Sequence, residues 1–298
     1  LPKILIIIGP TASGKTSLSI KLAKKFNGEI ISADSRQVYK GMDLGTGKVT
    51  RKEMQGIKHY LLDVVSPKKR FTAADYVGLG NKAIKQIQKK GKLPIICGGT
   101  GFYIDALLYG LPKTVAPDWK LRAKLEKLSN ANLFNKLKRV DPERAKIIDR
   151  NNRRRLIRSL EIVIKTGKPI PELIKQSKYD ILKIGVKRNK SDLKKRIHKR
   201  LIERFRQGMI NEVKMLLKQG ISWQKLDDFG LEYRFISRYL NGILNREQMM
   251  ELLETAINQY AKRQITWFKR DKQVFWSNDQ LNIEKKVKKW LFDNRFKW

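Results

Sequence analysis

The residues with the clearest chemical potential form the stretch "GPTASGKT", residues 9–16. Its spacing, G-x-x-x-x-G-K-[ST], is that of a phosphate-binding loop, and it lies between an apolar segment and an amphipathic one. Backbone N–H groups of such a loop face an anion, and the lysine reaches the outer phosphates. The residues predicted to bind a diphosphate or triphosphate are Gly9, Thr11, Ala12, Ser13, Gly14, Lys15 and Thr16. The Thr16 hydroxyl is also placed to bind Mg²⁺.

Asp34 follows Lys15 of this loop by 19 residues, at the end of "EIISAD". Phosphoryl transfer needs an acidic residue on its metal ion, and Asp34 is a candidate. It is equally a candidate general base beside the phosphate pocket, or a residue that only caps a turn. The later apolar segment "LPIICGGTG" ends without an acid. The residues alone leave these alternatives open.

A second glycine-rich turn occurs in "ICGGTGFYIDAL". Gly98, Gly99 and Gly101 allow the backbone to approach a ligand closely. The Thr100 hydroxyl is expected to be free to point into the site. The alternative is a tight turn that only packs against its strand.

Two arginine groups suit phosphate recognition. Residues 183–206 carry 11 basic and 2 acidic residues, with Arg196 and Arg200 one helical turn apart. Guanidinium groups pair bidentately with phosphate oxygens, so an arginine clamp competes here with an ordinary solvated helix face. In "NNRRRLIRSLE", Arg154 and Arg158 share another helix face, which suits a nucleic-acid backbone.

The overall charge points to a polyanionic partner. The 298 residues include 66 basic and 28 acidic ones, and residues 111–200 alone hold 28 basic against 9 acidic. A generally lysine-rich proteome is the alternative. The single cysteine, Cys97, fits a reducing cytosol, and no apolar stretch is long enough to span a membrane. His59 and His198 lack partners at a zinc-ligand spacing. We therefore expect a cytoplasmic protein without a membrane partner.

The scaffold that must hold these residues reads as an α/β fold. "KILIIIGP", "EIISAD" and "LPIICGGTG" are apolar strand-like segments, separated by helical patterns at residues 16–26 and 70–91. Thr72 is the predicted N-cap of the second helix, and Gly91 follows its end. This alternation predicts a parallel sheet flanked by helices, of the P-loop NTPase-like class.

The pattern changes after Leu111. Helical pieces punctuated by prolines precede another strand, "YDILKIGVKR". We predict an inserted all-helical subdomain at residues 112–178, between core segments 1–111 and 179–298. Two long amphipathic helices should follow, "DLKKRIHKRLIERFRQGMINEVKMLLKQG" and "REQMMELLETAINQYAKRQITWFKR". The aromatic residues of "YAKRQITWF" are expected to pack in the core.

Six stretches, in this order, resemble the bacterial tRNA dimethylallyltransferase (isopentenyltransferase) family over nearly the whole chain. They are "GPTASGKT", "ISADSRQVYKGMDLGTGK", "GGTGFYIDAL", "RRLIRSLE", "RIHKRLIERFRQGMINEV" and "YAKRQITWF". The resemblance implies transfer of a dimethylallyl group from its diphosphate to the exocyclic amine of the adenosine 3′-adjacent to the anticodon. No phosphoryl group moves, which agrees with the missing second metal acid. The sequence departs from the family pattern at Val49, at Tyr60 and in "DDFGLEYR".

The resemblance also implies a role for each site residue. Asp34 would be the general base, with Thr100 and Arg200 as further catalytic residues. Lys15, the loop amides, Arg196 and Mg²⁺ at Thr16 would stabilise the leaving diphosphate. The basic insert would bind the anticodon stem-loop of the tRNA, and nothing in the sequence calls for more than a monomer. The implied tRNA contacts are Asp34, Ser35, Arg36, Gln37, Thr100, Arg122, Arg154, Arg155, Leu156, Ile157 and Arg158.

Three other functions remain open from the residues alone. A nucleotide or small-molecule kinase shares the phosphate-binding loop. An isopentenyltransferase that acts on free adenine nucleotides would share the chemistry but would not need a large basic insert. A non-catalytic RNA-binding protein would not need Lys15, Thr16 and Asp34.

Overall fold

A computed structural model describes residues 1–111, 115–171 and 176–292. By its internal contacts the chain divides into two units. We call Leu1–Leu108 with Ser177–Trp298 the catalytic unit, and Tyr109–Gln176 the insert unit. The predicted start of the insert, Pro112, lies outside the described residues, so the predicted boundaries 112 and 178 stay a prediction.

The catalytic unit is built on one parallel six-stranded sheet, as the apolar segments predicted. Its strands are β1 (Lys3–Ile8), β2 (Gly28–Ala33), β3 (His59–Tyr60), β4 (Leu93–Gly98), β5 (Asp180–Val186) and β6 (Phe275–Ser277). The sheet order is β3-β2-β4-β1-β5-β6. The strands β1, β2 and β4 are almost fully buried, which explains their continuous apolar sequence. Because all strands are parallel, the loops that follow them meet at one edge of the sheet.

Helices surround this sheet. The first four in chain order are α1 (Lys15–Lys25), α2 (Arg51–Met54), α3 (Ala73–Lys89) and α4 (Gly101–Tyr109). The predicted cap of α3 is confirmed, since the Thr72 hydroxyl accepts a hydrogen bond from the Asp75 N–H at 3.2 Å. The Asp75 carboxylate accepts one in return from the Thr72 N–H at 2.9 Å. This reciprocal pair satisfies two donors at the helix start.

The described residues of the insert unit form helices only, as predicted. These helices are α5 (Trp119–Leu125), α6 (Asn130–Val140), α7 (Pro142–Ile147) and α8 (Arg153–Thr166). Leu133, Leu137, Leu156 and Leu160 lie at the centre of their common apolar core. A polar side chain caps the start of each helix, so the short segments are well delimited despite their high charge.

The C-terminal helices of the catalytic unit differ in part from the prediction. They are α9 (Lys190–Arg206), α10 (Met209–Lys218), α11 (Trp223–Phe229), α12 (Leu231–Leu240), α13 (Arg246–Phe268) and α14 (Gln280–Phe292). The stretch predicted as one long helix is α9 and α10, broken at Gly208, whose φ of 100° lies in the left-handed region. The long helix α13 is confirmed. No helix in the described parts of the chain is long and apolar enough to cross a membrane.

Candidate active site

The phosphate-binding loop joins the buried strand β1 to helix α1. Ala12 and Gly14 both have positive φ values, 60° and 93°, and Gly14 is the N-cap of α1. The Ser13 N–H closes the turn on the Pro10 carbonyl at 3.2 Å. The first turn of α1 therefore presents its unpaired N–H groups and its positive dipole end at the loop, as an anion site requires.

Lys15 is held inside this loop. Its Nζ donates to the Pro10 carbonyl at 3.2 Å. Burial lowers the pKa of its ammonium group, and the nearby Arg200 lowers it further, while Cys97 and Asp34 act in the opposite direction. The net result is a partly buried cation that is short of negative charge, so an anion in the loop would stabilise it.

Three arginines contact the loop from the direction of α9. Arg188 Nε donates to the Ser13 carbonyl at 3.0 Å, and Arg196 Nε donates to the Ala12 carbonyl at 2.8 Å. Arg200 donates to the Thr11 hydroxyl. The predicted Arg196 and Arg200 thus meet at the loop. Arg188 was missed, although it belongs to the same basic stretch and follows directly on β5.

Behind these arginines lies a buried pair, Arg204 and Glu232. Arg204 Nη1 donates to Glu232 Oε1 across 3.4 Å. Burial raises the pKa of the Glu232 carboxyl, and Arg204 and Arg200 only partly oppose this. Burial and the charge of Arg204 lower the pKa of Arg200 to about 9. The positive charge around the loop is therefore incompletely compensated by the protein itself.

Asp34 stands at the carboxyl end of β2 and caps the turn that follows. Its Oδ1 accepts hydrogen bonds from the N–H groups of Arg36 at 2.8 Å and Gln37 at 3.4 Å. Asp34 thus caps the turn, as one of the alternatives predicted, but only one of its two carboxylate oxygens does so. Among the described residues, no hydrogen bond reaches Oδ2. The turn fixes the orientation of the carboxylate, which leaves its second oxygen for other chemistry.

The second glycine-rich turn is tied to the first by hydrogen bonds. The Thr100 Oγ1 accepts from the Ser35 N–H at 3.1 Å, and the Thr100 N–H donates to the Ala33 carbonyl at 3.0 Å. A hydrogen bond with Thr100 also acts on the pKa of Tyr260, which burial raises. The Thr100 hydroxyl therefore accepts one hydrogen bond within the protein, and its contribution to the site stays a prediction. It joins the ends of β2 and β4.

Gln264 of α13 bridges the two glycine-rich turns, and sequence reasoning missed it. Its Oε1 accepts from the Thr11 N–H at 2.8 Å, and its Nε2 donates to the Gly99 carbonyl at 3.0 Å. A Cβ at Gly99 would overlap this side chain, and one at Gly101 would overlap Trp267. The signal was present in the sequence, because Gln264 is a polar residue on the buried stripe of α13.

The aromatic residues of α13 mostly pack as predicted. Phe268 is buried, and Tyr260 and Trp267 are partly buried. Trp267 lies against Gly101 at the start of α4, which only a glycine permits at that position. These residues build the wall of the site.

The residues after Asp34 that were predicted to contact tRNA have partners inside the protein. Arg36 Nε donates to the Phe229 carbonyl at 2.7 Å. Gln37 Nε2 donates to the Gly47 carbonyl at 3.2 Å, and its Oε1 accepts from the Ser32 hydroxyl at 3.1 Å. These side chains shape the turn that carries Asp34.

In the insert unit, Arg122 and Arg158 converge on one buried carboxylate. Arg122 donates to both oxygens of Glu161, at 2.9 and 2.7 Å, and Arg158 donates to Glu161 Oε2 as well. Both arginines therefore have a structural partner, which the sequence did not reveal.

The other predicted contacts on α8 divide by exposure. The side chains of Leu156 and Ile157 lie in the apolar core, and contact of these two residues with tRNA stays a prediction. Arg154 and Arg155 are exposed at the start of the helix. Of the four predicted residues at positions 154–157, these two are the ones with exposed side chains.

The residues at which this sequence differs from the family pattern make contacts within the protein. Tyr60 donates from its hydroxyl to Glu29 at 2.7 Å, and Val49 packs on the sheet core. Tyr233, in "DDFGLEYR", donates to Glu212 Oε1 at 2.8 Å. Glu212 in turn accepts the N–H groups of residues 43–45. Glu212 therefore holds the loop at residues 43–45, whereas Glu29, the partner of Tyr60, lies at the amino end of β2.

The site can therefore bind a diphosphate and hold one oriented carboxylate beside it. Among the described residues, no group of three or more His, Cys, Asp or Glu side chains could hold a metal ion. The arrangement suits a reaction in which a diphosphate leaves and a proton is removed nearby.

Comparison with known proteins gives consistent matches. Residues 37–271 match the profile of a family described as IPP transferase. The tRNA dimethylallyltransferase of Acetivibrio thermocellus is 42% identical and covers 96% of this chain and 95% of its own length. The crystal structure of the tRNA delta(2)-isopentenylpyrophosphate transferase of Staphylococcus epidermidis has a TM-score of 0.73 at 39% identity, with 99% and 100% coverage. Crystal structures of a eukaryotic dimethylallyltransferase acting on tRNA give a TM-score of 0.83 at 28% identity, over 99% of this chain and 80% of theirs.

Proposed function

The chain belongs to the IPP transferase family, and from this membership and the site geometry we propose how its residues carry out the reaction. Its activity is that of a tRNA dimethylallyltransferase, which prenylates tRNA. We propose that dimethylallyl diphosphate is the donor and that the acceptor is the exocyclic amine of the adenosine 3′-adjacent to the anticodon. The observation that carries this proposal is the single oriented carboxylate, Asp34, beside a loop surrounded by cations.

Asp34 is the general base in this proposal. An adenine amine is a poor nucleophile and must lose a proton as the carbon–nitrogen bond forms. The backbone N–H groups of Arg36 and Gln37 hold Oδ1, so that Oδ2 can accept a hydrogen bond from the amine. General base assistance of this kind contributes roughly 10²–10⁴-fold to a rate.

The leaving diphosphate is stabilised by the cations of the loop. Cleavage of an allylic carbon–oxygen bond gives a loose transition state, so charge accumulates on the diphosphate as the bond breaks. Lys15, Arg196, Arg200 and the backbone N–H groups of residues 14–16 would bind that charge, with Arg188 as an additional donor. Preorganised groups of this kind are the largest single contribution in many enzymes.

A Mg²⁺ ion would bind here mainly to the phosphates of the substrate, with few ligands from the protein. Mg²⁺ keeps several waters and is commonly bound by few protein ligands together with substrate phosphates. The Thr16 hydroxyl, exposed in the first turn of α1, is the side chain that would hold it. When bound, the ion would neutralise part of the diphosphate charge.

The acceptor is an RNA loop, whose base can leave its stack to enter a protein site. The insert unit, with 18 basic and 7 acidic residues, suits the phosphate backbone of such an RNA. In this proposal Arg154 and Arg155 contact that backbone, while Arg122 and Arg158 hold the insert together. A monomeric enzyme in the cytoplasm, where the tRNA substrate lies, completes the proposal.

The test is transfer of radiolabelled dimethylallyl from its diphosphate to an unmodified anticodon stem-loop in the presence of Mg²⁺. Wild type should label the RNA, and Asp34→Asn should lower the rate by about 10²-fold or more without loss of RNA binding. Asp180→Asn is the matched control, because it makes the same change at the opposite end of the sheet.

Each other outcome rejects part of the proposal. Unchanged transfer by Asp34→Asn would remove the base from the mechanism. Label on free adenosine monophosphate instead of RNA would point to a nucleotide-modifying enzyme. Turnover of a nucleoside triphosphate with no prenyl transfer would point to a kinase.

A further inference from the structure

Trp119 is a large aromatic side chain at the surface of the insert unit. It is the first residue of the seven-residue helix α5, and 55% of its surface is exposed. The preceding residue, Asp118, caps the helix by accepting the Leu121 N–H at 2.9 Å. The backbone that carries the indole ring is therefore fixed, although the ring itself is exposed.

Arg122 fixes the ring from one side. Its guanidinium carbon lies 4.9 Å from the centroid of the Trp119 ring. The same guanidinium makes two hydrogen bonds to Glu161, which also accepts the Asp118 N–H at 2.6 Å. The Glu161 carboxylate thus holds both the Arg122 guanidinium, which lies against the Trp119 ring, and the start of helix α5. Such an arrangement loses little conformational entropy when a ligand binds the ring.

We propose that Trp119 is a stacking platform for an unpaired base of the tRNA anticodon loop. The partner must be polyanionic, because basic residues outnumber acidic ones in this unit by 18 to 7. An aromatic face binds the face of a base, and only loop bases present their faces, since those of a paired stem are stacked. The inference rests on the proposed function, which supplies an RNA loop as substrate.

The proposal also changes the role of Arg122. Its N–H donors on Nε and Nη2 serve Glu161, so it acts on the RNA through the ring that it positions. Arg122 is thus a positioning residue, and Trp119 is the residue that contacts the base.

The chain offers a matched control in Trp223. It is the first residue of the seven-residue helix α11, follows a capping serine, and is 42% exposed, but it lies in the catalytic unit. Trp119→Ala, Trp119→Phe and Trp223→Ala therefore separate loss of a stacking face from loss of an exposed tryptophan at a helix start.

The experiment measures the Kd of each variant for an unmodified anticodon stem-loop by fluorescence anisotropy at several salt concentrations. Trp119→Ala should weaken binding about 5- to 150-fold, the range found when base-stacking aromatics are removed. Trp119→Phe should recover most of this loss, and Trp223→Ala should bind within about 2-fold of wild type. The slope of log Kd against log salt should not change in Trp119→Ala, because stacking releases no counterions.

A second set of RNAs, each with one abasic loop position, identifies the partner base. At one position, removal of the base should abolish the difference between wild type and Trp119→Ala, as expected for two groups in direct contact. Equal binding by Trp119→Ala and wild type would overturn the proposal, as would a reduced salt slope, which indicates a phosphate contact. If the wild type neither binds nor modifies the stem-loop, the proposed function fails as well.

Discussion

Glu161 in the insert unit and Glu232 in the catalytic unit are both buried among arginines, yet their pKa values move in opposite directions. Burial alone would raise the pKa of Glu161. Hydrogen bonds from Arg122, the Asp118 N–H and Arg158 outweigh this and lower it to about 2. Burial raises the pKa of Glu232, which has one long contact with Arg204 at 3.4 Å.

The difference reflects what each unit must do. In the insert unit, the arginines around Glu161 are satisfied by the protein, and they organise its surface. In the catalytic unit, Lys15, Arg200 and Arg204 share too little negative charge, so part of their favourable interaction is reserved for a ligand. A site that binds a diphosphate needs such a deficit, whereas a scaffold does not.

The largest expected effect is the loss of the carboxylate in the insert unit. Glu161→Ala leaves Arg122 and Arg158 without their buried partner, and we expect the free energy of unfolding to fall by about 3–5 kcal/mol. Urea unfolding would measure this, with hydrogen exchange to locate it in α5 and α8. The exposed Glu143, which pairs only with Lys146, supplies the control Glu143→Ala, with a change below about 0.5 kcal/mol.

Replacement of each carboxylate by its amide sharpens the comparison. Glu161→Gln loses charge-assisted hydrogen bonds, which contribute about 1.5–3 kcal/mol. Burial raises the pKa of the Glu232 carboxyl and so disfavours its charged form, and we expect a smaller loss for Glu232→Gln than for Glu161→Gln. Unfolding in urea at pH 7 distinguishes the two. A larger loss for Glu232→Gln than for Glu161→Gln would contradict the comparison.

Glycines test how tightly each unit packs around its charges. Gly47 and Gly167 both have left-handed φ values, 58° and 64°, so alanine costs about 1–2 kcal/mol at either position. A Cβ at Gly47 would overlap the guanidinium of Arg204, whereas no described atom lies within 4 Å of one at Gly167. We expect Gly47→Ala to lower transferase activity as well as stability, and Gly167→Ala to lower stability alone. Equal activities would show that the position of Arg204 does not matter to the site.

The smallest expected effect is on pH dependence. Because the folded-state pKa of Glu232 is raised, its contribution to stability is fully present below the unfolded value of about 4.5 and is lost as pH rises through the folded value. Glu161 has a lowered pKa, so its contribution is present above about 4.5 and lost as pH falls towards 2. Thermal unfolding between pH 4.5 and 7 should therefore change slope in Glu232→Gln but not in Glu161→Gln.

The sequence was sufficient for the elements whose signal is local. The phosphate-binding loop, the buried strands and the Thr72 cap each follow from a few neighbouring residues. Strands β3 and β6, of two and three residues, are too short to show a period. The break at Gly208 was missed because the apolar pattern continues through it from α9 to α10.

The sequence predicts several residues of the site, but it does not predict the hydrogen bonds that connect them. Lys15, Arg196 and Arg200 could be selected from motif and spacing. The partners of Arg122, Thr100 and Gln264 are 39, 65 and 253 or 165 residues away along the chain, which spacing does not reveal. The burial of Leu156 and Ile157 follows from the apolar periodicity of α8, which the motif "RRLIRSLE" does not show by itself.

The bridge made by Gln264 has a consequence during synthesis on the ribosome. The phosphate-binding loop leaves the exit tunnel before α13, yet its Thr11 N–H donates to Gln264 of that helix, whose Nε2 donates to the Gly99 carbonyl. A nascent chain that stops within the insert unit therefore carries the loop without the helix that joins it to the second turn. Such a truncated chain should accordingly lack the bridge that holds its two glycine-rich turns together.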